Sequence, residues 1–584
     1  MQVLGQGIKY RWLLATADES AAREIAMQCG IDVALARALY VRGYTTPAQA
    51  QRYLVMSDEW IADPTLLKGA QEAALRLADA IERKEKILVF GDYDVDGITS
   101  TAIMLSCLLP LGAQLQYYLP NRVRDGYGLS SKIVYKAAAA GYQLIVTVDN
   151  GITAHRAVAD AKALGLSVII TDHHQVHGNL PCADVIVNPH QPGCLYPYKD
   201  FAGVGVIFKI MTLMYARLGR TMPAKAYELL MLGTVADVVP LRHENRYWVQ
   251  KGLAQLNQER SLALQVLAQN GNVADKQVLT SRDIGFAIAP QLNALGRLDD
   301  PRDGVKFLIS ADMSDVMQVG ITLKAMNERR KLVDRAIFEE ICALITDGTI
   351  DLATEQIIMA AHADWPAGVI GLVAGKLMQE YGRPVVLFHL TADGQAKGSC
   401  RSIPAFNMFE ALSECSDLLT TFGGHACAAG LSLPASAVPT LKERLEALIR
   451  ERVHPDDLVL GLTVDAVLPL PAITKPFWQQ LRRMEPFGNA NTEPLLVLDG
   501  VTLVQEPRLL KDKHVKCMVF ADGVLKPVMF FNRPDLYPLL SGLGDQPFSI
   551  AVHVVANEWQ GATSIELHGV DVCITEKHGK TNND

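Results

Sequence analysis

Between Lys86 and Pro189 five short runs rich in β-branched residues, KILVFGDYD, QLQYYLP, YQLIVTVDNG, LSVIITDHH and ADVIVNP, alternate with helical stretches. This alternation constrains the fold more than any other feature. A strand that returns to its sheet in the same direction needs a helical crossover, so the pattern predicts a parallel sheet covered by helices. A long helix is expected from about Ser314 to Leu344, followed by a second α/β series from EQIIMAAHADW to the glycine-rich FGGHACAAG. After Pro455 short runs such as LLVLDGVTLV, HVKCMVF and FSIAVHVVANEW, separated by turn residues, predict a small barrel or sandwich.

These shifts divide the 584 residues into a helical lead-in (1–82), a first α/β domain (83–312), a linking helix (313–350), a second, smaller α/β domain (351–453), a strand-rich domain (454–576) and a frayed tail (577–584). The fold class is therefore α/β, with a separate β-rich domain at the C-terminal side. Ten dilute cysteines with no CxxC pair fit reduced thiols in a cytoplasmic protein, and the N-terminal stretch has no apolar core of a secretory signal. Gly97 to Asn121 carries no charge, yet its threonines, serines, glutamines and Pro110 make it a buried helix leading into a strand rather than a membrane span. The formal net charge of −8, from 55 basic and 63 acidic residues, lacks the overall basic footprint of a nucleic-acid binder. Local stripes run the other way: Lys324 to Arg335 holds five basic and two acidic residues, and Arg508 to Lys516 four basic and one acidic.

The chemistry is carried by the ends of the strand-like runs. Asp92, Asp94 and Asp96 follow ILVF in GDYDVDG, Asp149 ends LIVTVDNG, and Asp172, His173 and His174 end SVIITDHH. Alternate residues of an extended segment share a face, so at least two of the first three carboxylates can converge, and ligands of open α/β sheets gather at the carboxyl ends of strands. The 23-residue step from Asp149 to Asp172 fits one strand-helix-strand unit. Asp237, inside the apolar LGTVADVVP, is a charge that needs a partner. Asp92 to Gly97 also matches the start of a calcium loop, DxDxDG, but the twelfth position is Ile103 instead of glutamate and a strand precedes it, which argues against an EF-hand. Carboxylates with imidazole and no thiolate suit Mg²⁺ or Mn²⁺, and two such ions could activate a water and clamp a phosphodiester. His173 and His174 cannot both point one way, so one is the expected ligand and the other a supporting or substrate-contacting group.

In this order GDYDVDG, TVDNG, TDHH and TVADVVP resemble the four motifs of the DHH phosphoesterase superfamily, and GSCRS (398–402) with GGHACAAG (423–430) resembles the companion DHHA1 domain. KYRW, PNRVRDGYGL at 120–129, NALGRLDD at 293–300 and MEPFGNANTEP at 484–494 narrow the resemblance to the RecJ family. That resemblance implies 5′ to 3′ degradation of single-stranded DNA to 5′-mononucleotides, with two Mg²⁺ or Mn²⁺ ions, in recombination, mismatch repair and replication-fork repair. It also implies contact with the single-stranded-DNA-binding protein, cooperation with a helicase, a monomer and no membrane association. Position by position it makes Asp94, Asp96, Asp149, His173 and Asp237 metal ligands, with Asp92 and His174 beside them. Asn121, Arg122, Arg297, Arg401, Ser402, Gly423, Gly424 and His425 become substrate contacts, for which an arginine fork and a closely approaching Gly-Gly backbone are suited. Gln291 stands where the family pattern has arginine, and NANTEP replaces a GNPEP-like stretch. The C-terminal strands resemble the family's oligonucleotide-binding fold, where Arg508 to Lys516 with Phe487, Phe530, Phe531 and Trp559 offers phosphate contacts and stacking faces.

The expected function is thus a single-strand-specific exonuclease that threads DNA between the DHH and DHHA1 domains and excludes duplex by width. Two other readings compete: a DHH-type phosphodiesterase for short oligoribonucleotides or cyclic dinucleotides, disfavoured by the extra region after about 455, and a non-catalytic single-strand-binding scaffold, which would be expected to have eroded ligands.

Overall fold

A computed structural model describes residues 1–121, 128–176, 178–298, 300–559 and 562–574. The chain forms two units, one built from Met1–Val55, Leu332–Glu485 and the residues from Glu493 on, the other from Met56–Lys331 with Pro486–Thr492. The frayed tail expected over 577–584 lies outside the described residues.

The second unit contains the sheet read from the sequence. Its strands are β1 (Lys86–Phe90), β2 (Gln114–Tyr118), β3 (Leu144–Val148), β4 (Ser167–Thr171) and β5 (Val185–Val187). They lie all parallel in the spatial order β2-β1-β3-β4-β5. Both faces are covered: Ile87, Val89 and Val146 enter one apolar core, while Leu88, Phe90, Ile145 and Ile170 enter the other. That double burial is why these strands read as unbroken apolar runs. Helix α1 (Val95–Leu108) follows β1 and is buried almost all round, which accounts for the uncharged stretch after Asp96. No helix among the described residues is long and apolar enough to cross a membrane. Helices α2 (Gly203–Arg217), α3 (Ala224–Ala236) and α4 (Ala289–Leu298) complete the surroundings of the sheet's carboxyl edge. A π-helical stretch, Ile284–Ile288, runs into α4. Gln291 is buried there and its amide donates to Leu267 O (2.8 Å) and Ala287 O (2.7 Å). The residue that departs from the family pattern therefore ties α4 to its neighbours through backbone carbonyls.

The other unit corrects the lead-in. Residues 1–82 are not a helical block: Gln2–Gln6 and Arg11–Leu14 form an antiparallel hairpin, and Gly461–Val464 adds a third strand parallel to the latter. Helices Glu19–Cys29, Val33–Val41 and Pro47–Leu54 follow, whereas helix Ala70–Glu82 belongs to the unit with the parallel sheet. The hairpin is held by Asp571, fully buried, whose carboxylate accepts from Lys9 N, Tyr10 N and Trp12 Nε1 and lies 3.4 Å from Arg533. The three hairpin donors are more than 500 residues from Asp571 along the chain, so no local pattern announces the strands.

The linking helix spans Met313–Thr346. Beyond it a mixed sheet of β6 (Ile358–His362), β7 (Val385–Leu390), β8 (Gln395–Arg401), β9 (Thr421–His425) and β10 (Ala428–Pro434) has the order β9-β10-β8-β7-β6. In the C-terminal region β11 (Leu496–Leu503), β12 (His514–Ala521), β13 (Val524–Phe530), β14 (Phe548–Trp559) and β15 (Ala562–Cys573) close into a five-stranded barrel, through the pairings β11-β14, β14-β15, β15-β13, β13-β12 and β12-β11.

Candidate active site

The four sequence motifs converge at the carboxyl edge of the parallel sheet. The turn after β1 carries Asp92 and Asp94, and Asp94 caps α1 by accepting from Gly97 N (3.1 Å). Asp96, in the first turn of that helix, is buried, and its carboxylate accepts from Gly203 N (2.5 Å) and Val204 N (2.8 Å) at the start of α2. A carboxylate facing two free amides of a helix N-terminus is electrostatically favoured there. Asp149 directly follows β3 in the left-handed region, φ 63°, a conformation asparagine and aspartate tolerate better than other side chains. Gly203 is required beside it: a Cβ at that position would sit 2.7 Å from Asp149 Cβ and 2.9 Å from its Cα.

His173 stands at the centre. Its Nε2 is 3.1 Å from Asp149 Oδ1, 3.7 Å from Asp237 Oδ2 and 3.8 Å from Asp96 Oδ2. Ligand-capable atoms lie within 4.8 Å of one another in three overlapping groups: Asp149, His173 and His174; Asp96, His173 and Asp237; Asp92, Asp94 and Asp149. His174 does not point away from its neighbour as expected for adjacent residues at a strand end: the chain leaves the extended strand after Thr171, and the two imidazole rings lie side by side with centroids 4.5 Å apart. His174 Nδ1 is 2.7 Å from Asp172 Oδ1, and the buried Asp172 also accepts from Ile152 N (2.9 Å), His173 N (2.7 Å) and His174 N (3.1 Å).

The protonation states follow from this crowding. Burial, then the charge of Asp94, pushes Asp96 up to about 7, and burial with the neighbouring aspartates holds Asp149 and Asp237 well above the ordinary carboxylate range. Burial lowers His173 to about 4, so its ring is neutral near pH 7 and its Nε2 can act as a ligand. Burial also opposes charge on His174, but the hydrogen bond and charge of Asp172 outweigh it and raise its pKa. Asp237 Oδ2 is buried with no hydrogen-bond partner among the described residues. Oxygen and imidazole donors, an orphaned carboxylate oxygen and mutual repulsion fit a hard divalent cation, with Asp92, Asp94, Asp96, Asp149, His173 and Asp237 as the residues able to hold it.

The remaining expected residues are distributed differently. Asn121, half-buried, lies three residues past β2 at the same carboxyl edge; Arg122 is outside the described residues, as is the side chain of Arg297 on α4. In the DHHA1-like region Arg401 ends β8 with its guanidinium on Cys400 O (2.7 Å), and Gly423, Gly424 and the exposed His425 lie on β9. Gly424 has φ 141°, and a Cβ there would meet Ala428 O at 2.4 Å. Ser402 is a correction: it is 2 % exposed and its hydroxyl donates to Phe406 O (2.7 Å), so it locks a turn instead of offering a free hydroxyl. In the barrel Phe530 is core, whereas Phe531 is 49 % exposed and packs edge-on against His514 and His568; the Trp559 side chain is outside the described residues. Sequence reasoning did not single out Asp172 as the orienting group, the Gly203 and Val204 amides, or Asn293, whose Oδ1 accepts from Val95 N (3.2 Å). The Gly-x-Gly of AGVGV (202–206), which opens a helix, was the one available signal for the amides.

Family models match in three places: the DHH family N-terminal domain at residues 86–234, the DHHA1 domain at 353–451 and the RecJ OB domain at 464–571. The chain is 36% identical to the single-stranded-DNA-specific exonuclease RecJ of Bacillus subtilis, over 97% of this chain and 71% of that one. This chain belongs to the RecJ family. The RecJ protein of Escherichia coli is 34% identical, over 91% of this chain and 94% of its own length. The crystal structure of RecJ in complex with Mn²⁺ from Thermus thermophilus superposes with a TM-score of 0.82 at 28% identity, covering 97% of this chain and 80% of that one. The α/β class and the closed C-terminal barrel are thus those of a RecJ fold.

Proposed function

We propose that this chain is a metal-dependent exonuclease specific for single-stranded DNA, which hydrolyses it from the 5′ end to 5′-mononucleotides. The observation that carries the reading is the convergence of seven carboxylate and imidazole side chains at one sheet edge, in a chain similar over nearly its whole length to proteins named for that activity. Asp94, Asp96, Asp149, His173 and Asp237, with Asp92, are assigned as the ligands of Mg²⁺ or Mn²⁺. Bound divalent ions lower the pKa of water and offset phosphate charge. The protein's own share is to hold the ligand atoms rigidly: the start of α2 fixes Asp96, Asp172 fixes the His174 ring, and the neutral His173 ring offers Nε2 without carrying a competing charge. With Nδ1 committed to Asp172, His174 presents Nε2 to a phosphate oxygen of the substrate.

In the DHHA1 region Arg401 and His425 are assigned phosphate contacts, and Gly424 keeps the β9–β10 backbone close and open to approach. On the barrel Phe531, flanked by His514 and the basic Arg508 to Lys516 window, is assigned a base-stacking face. The domain limits read from the sequence, 83–312 for the DHH domain, 351–453 for DHHA1 and 454–576 for the OB-like domain, are kept as the working division. Roles in recombination, mismatch repair and replication-fork repair, contact with the single-stranded-DNA-binding protein, cooperation with a helicase, a monomeric state and a cytoplasmic location rest on family resemblance.

The test is digestion of 5′- and 3′-labelled single-stranded DNA, duplex DNA and short RNA with Mn²⁺, Mg²⁺ or EDTA, by wild type and Asp94→Ala. The expected result is release of labelled mononucleotide from the 5′ label of single-stranded DNA only, lost in EDTA and in the variant. Preference for short RNA would support the oligoribonucleotide phosphodiesterase instead, and binding without cleavage the scaffold.

A further inference from the structure

Asp237 closes the metal-ligand set, yet it lies just past the end of α3, and the next residue, Val238, has φ 60°. A β-branched residue in the left-handed region is a conformational outlier that persists only where its surroundings enforce it. Val238 is 63 % exposed, so packing of its own side chain does not do so. The restraint comes from a segment some 250 residues further along the chain, Pro486–Thr492, which belongs to the same unit as the parallel sheet. Asn489 Nδ2 donates to Val238 O (2.6 Å), Leu241 N donates to Asn489 O (2.8 Å), and Arg242 Nε donates to Ala490 O (2.8 Å). Three polar bonds thus grip the stretch Val238 to Arg242 immediately after the ligand.

The gripping loop is itself braced. Gly488 and Asn491 bond each other in both directions (Gly488 N to Asn491 O 2.9 Å, Asn491 N to Gly488 O 3.1 Å), and the buried Asn491 side chain donates to Pro486 O (2.8 Å). Ser281 Oγ donates to Phe487 O (2.6 Å), and Gly488 packs so closely that a Cβ would meet Leu241 Cδ1 at 2.6 Å. A loop this constrained can impose a conformation on its partner.

We propose that Asn489 is a positioning residue: by holding the Val238 carbonyl it fixes the left-handed turn that aims the Asp237 carboxylate at His173 and the metal ions. The inference rests on Asp237 being a metal ligand, as proposed above. It also gives NANTEP, the stretch that departs from the family pattern, a task at the catalytic centre.

The test is Mn²⁺ affinity of the full-length protein by titration calorimetry and by the loss of the free Mn²⁺ electron-spin signal, with kcat and KM on single-stranded DNA alongside. Asn489→Ala is expected to weaken Mn²⁺ binding by roughly 10- to 100-fold, the range for groups that orient metal ligands. It should lower kcat at fixed Mn²⁺ while KM and single-strand binding in EDTA stay within about twofold of wild type, the pattern of a lost transition-state contribution with substrate binding kept. Val238→Gly, which adopts φ 60° without the clamp, should restore most of the lost affinity in the Asn489→Ala background. A merely structural role would lower the unfolding temperature but leave Mn²⁺ affinity unmoved and give no rescue by glycine; either result overturns the proposal. Asp237→Asn separates the two readings: if it weakens Mn²⁺ binding while Asn489→Ala does not, the positioning role alone fails, and if it binds Mn²⁺ like wild type, the ligand assignment fails first.

Discussion

Replacement of Gly203 by alanine perturbs the centre without removing any ligand. Asp149 and Asp96 both depend on this position, the first because its backbone and Cβ pass within 2.9 Å of where a Cβ would stand, the second because Gly203 N is one of its two amide donors. Ordinary carbon contacts are about 3.5–4.0 Å, so a Cβ at 2.7 Å from Asp149 Cβ requires a displacement of roughly 1 Å. Either β3's end or the start of α2 must yield, because the obstructing atoms are backbone and Cβ and cannot rotate away. Overpacking of this kind costs about 1–3 kcal/mol of stability, and a misplacement of about 1 Å at a reacting centre costs on the order of 10²-fold in rate. Gly203→Ala is therefore expected to lower kcat on 5′-labelled single-stranded DNA about a hundredfold and to weaken Mn²⁺ binding, while single-strand affinity measured in EDTA is retained. Kinetics, calorimetry and thermal unfolding on one preparation check all three. Activity within threefold of wild type, with unchanged Mn²⁺ affinity, would refute the claim that the α2 start sets the ligand geometry.

Three further outcomes follow from the same structure. In metal-free protein Asp96, Asp149 and Asp237 titrate above their unfolded values, so between about pH 4 and 7 the folded state binds more protons than the unfolded one and these groups make stability fall as pH rises. His173, held at about 4, acts in the opposite sense below pH 6.5, one group against three; because metal binding requires the carboxylates ionised, the thermal shift on adding Mn²⁺ should be larger at pH 8 than at pH 5, and equal shifts would contradict this. Lys209→Met leaves Glu244 buried with Tyr196 OH and Ala62 N as its remaining partners among the described residues, and should destabilise the DHH unit by about 3–5 kcal/mol, read by urea unfolding; a loss below about 1 kcal/mol would sink the expectation. Asp571→Ala strips the acceptor from three donors in the N-terminal hairpin, so hydrogen exchange should quicken across residues 2–14 relative to wild type, and unchanged protection would show that the hairpin is held otherwise.

The parallel sheet and its ligand set were legible because both depend on local pattern. Strands buried on two faces read as apolar runs, and a ligand at a strand's carboxyl end sits next to that run in the chain, as Asp92, Asp149 and His173 do. Asp237 was legible for a different reason, an isolated charge in the apolar segment LGTVADVVP. What stayed hidden rests on contacts between distant segments. The amides of Gly203 and Val204 are presented to Asp96 across more than a hundred residues, and backbone donors leave no mark on residue identity. Asn489, in a loop that crosses back to the sheet-bearing unit, and the hairpin held by Asp571 were invisible for the same reason. Ser402 erred in the opposite direction: the motif position was visible, but whether its hydroxyl faces outward is decided by the Phe406 carbonyl four residues on.

The central claim is that the Asp and His side chains at the sheet edge hold the divalent ions on which hydrolysis depends. Anomalous diffraction from crystals of the protein grown with Mn²⁺ tests it most directly. The account predicts manganese peaks within about 2–2.6 Å of His173 Nε2 and of carboxylate oxygens of Asp96, Asp149 and Asp237, absent from crystals of Asp149→Asn. Manganese bound elsewhere on the chain, with no peak beside His173, would contradict it.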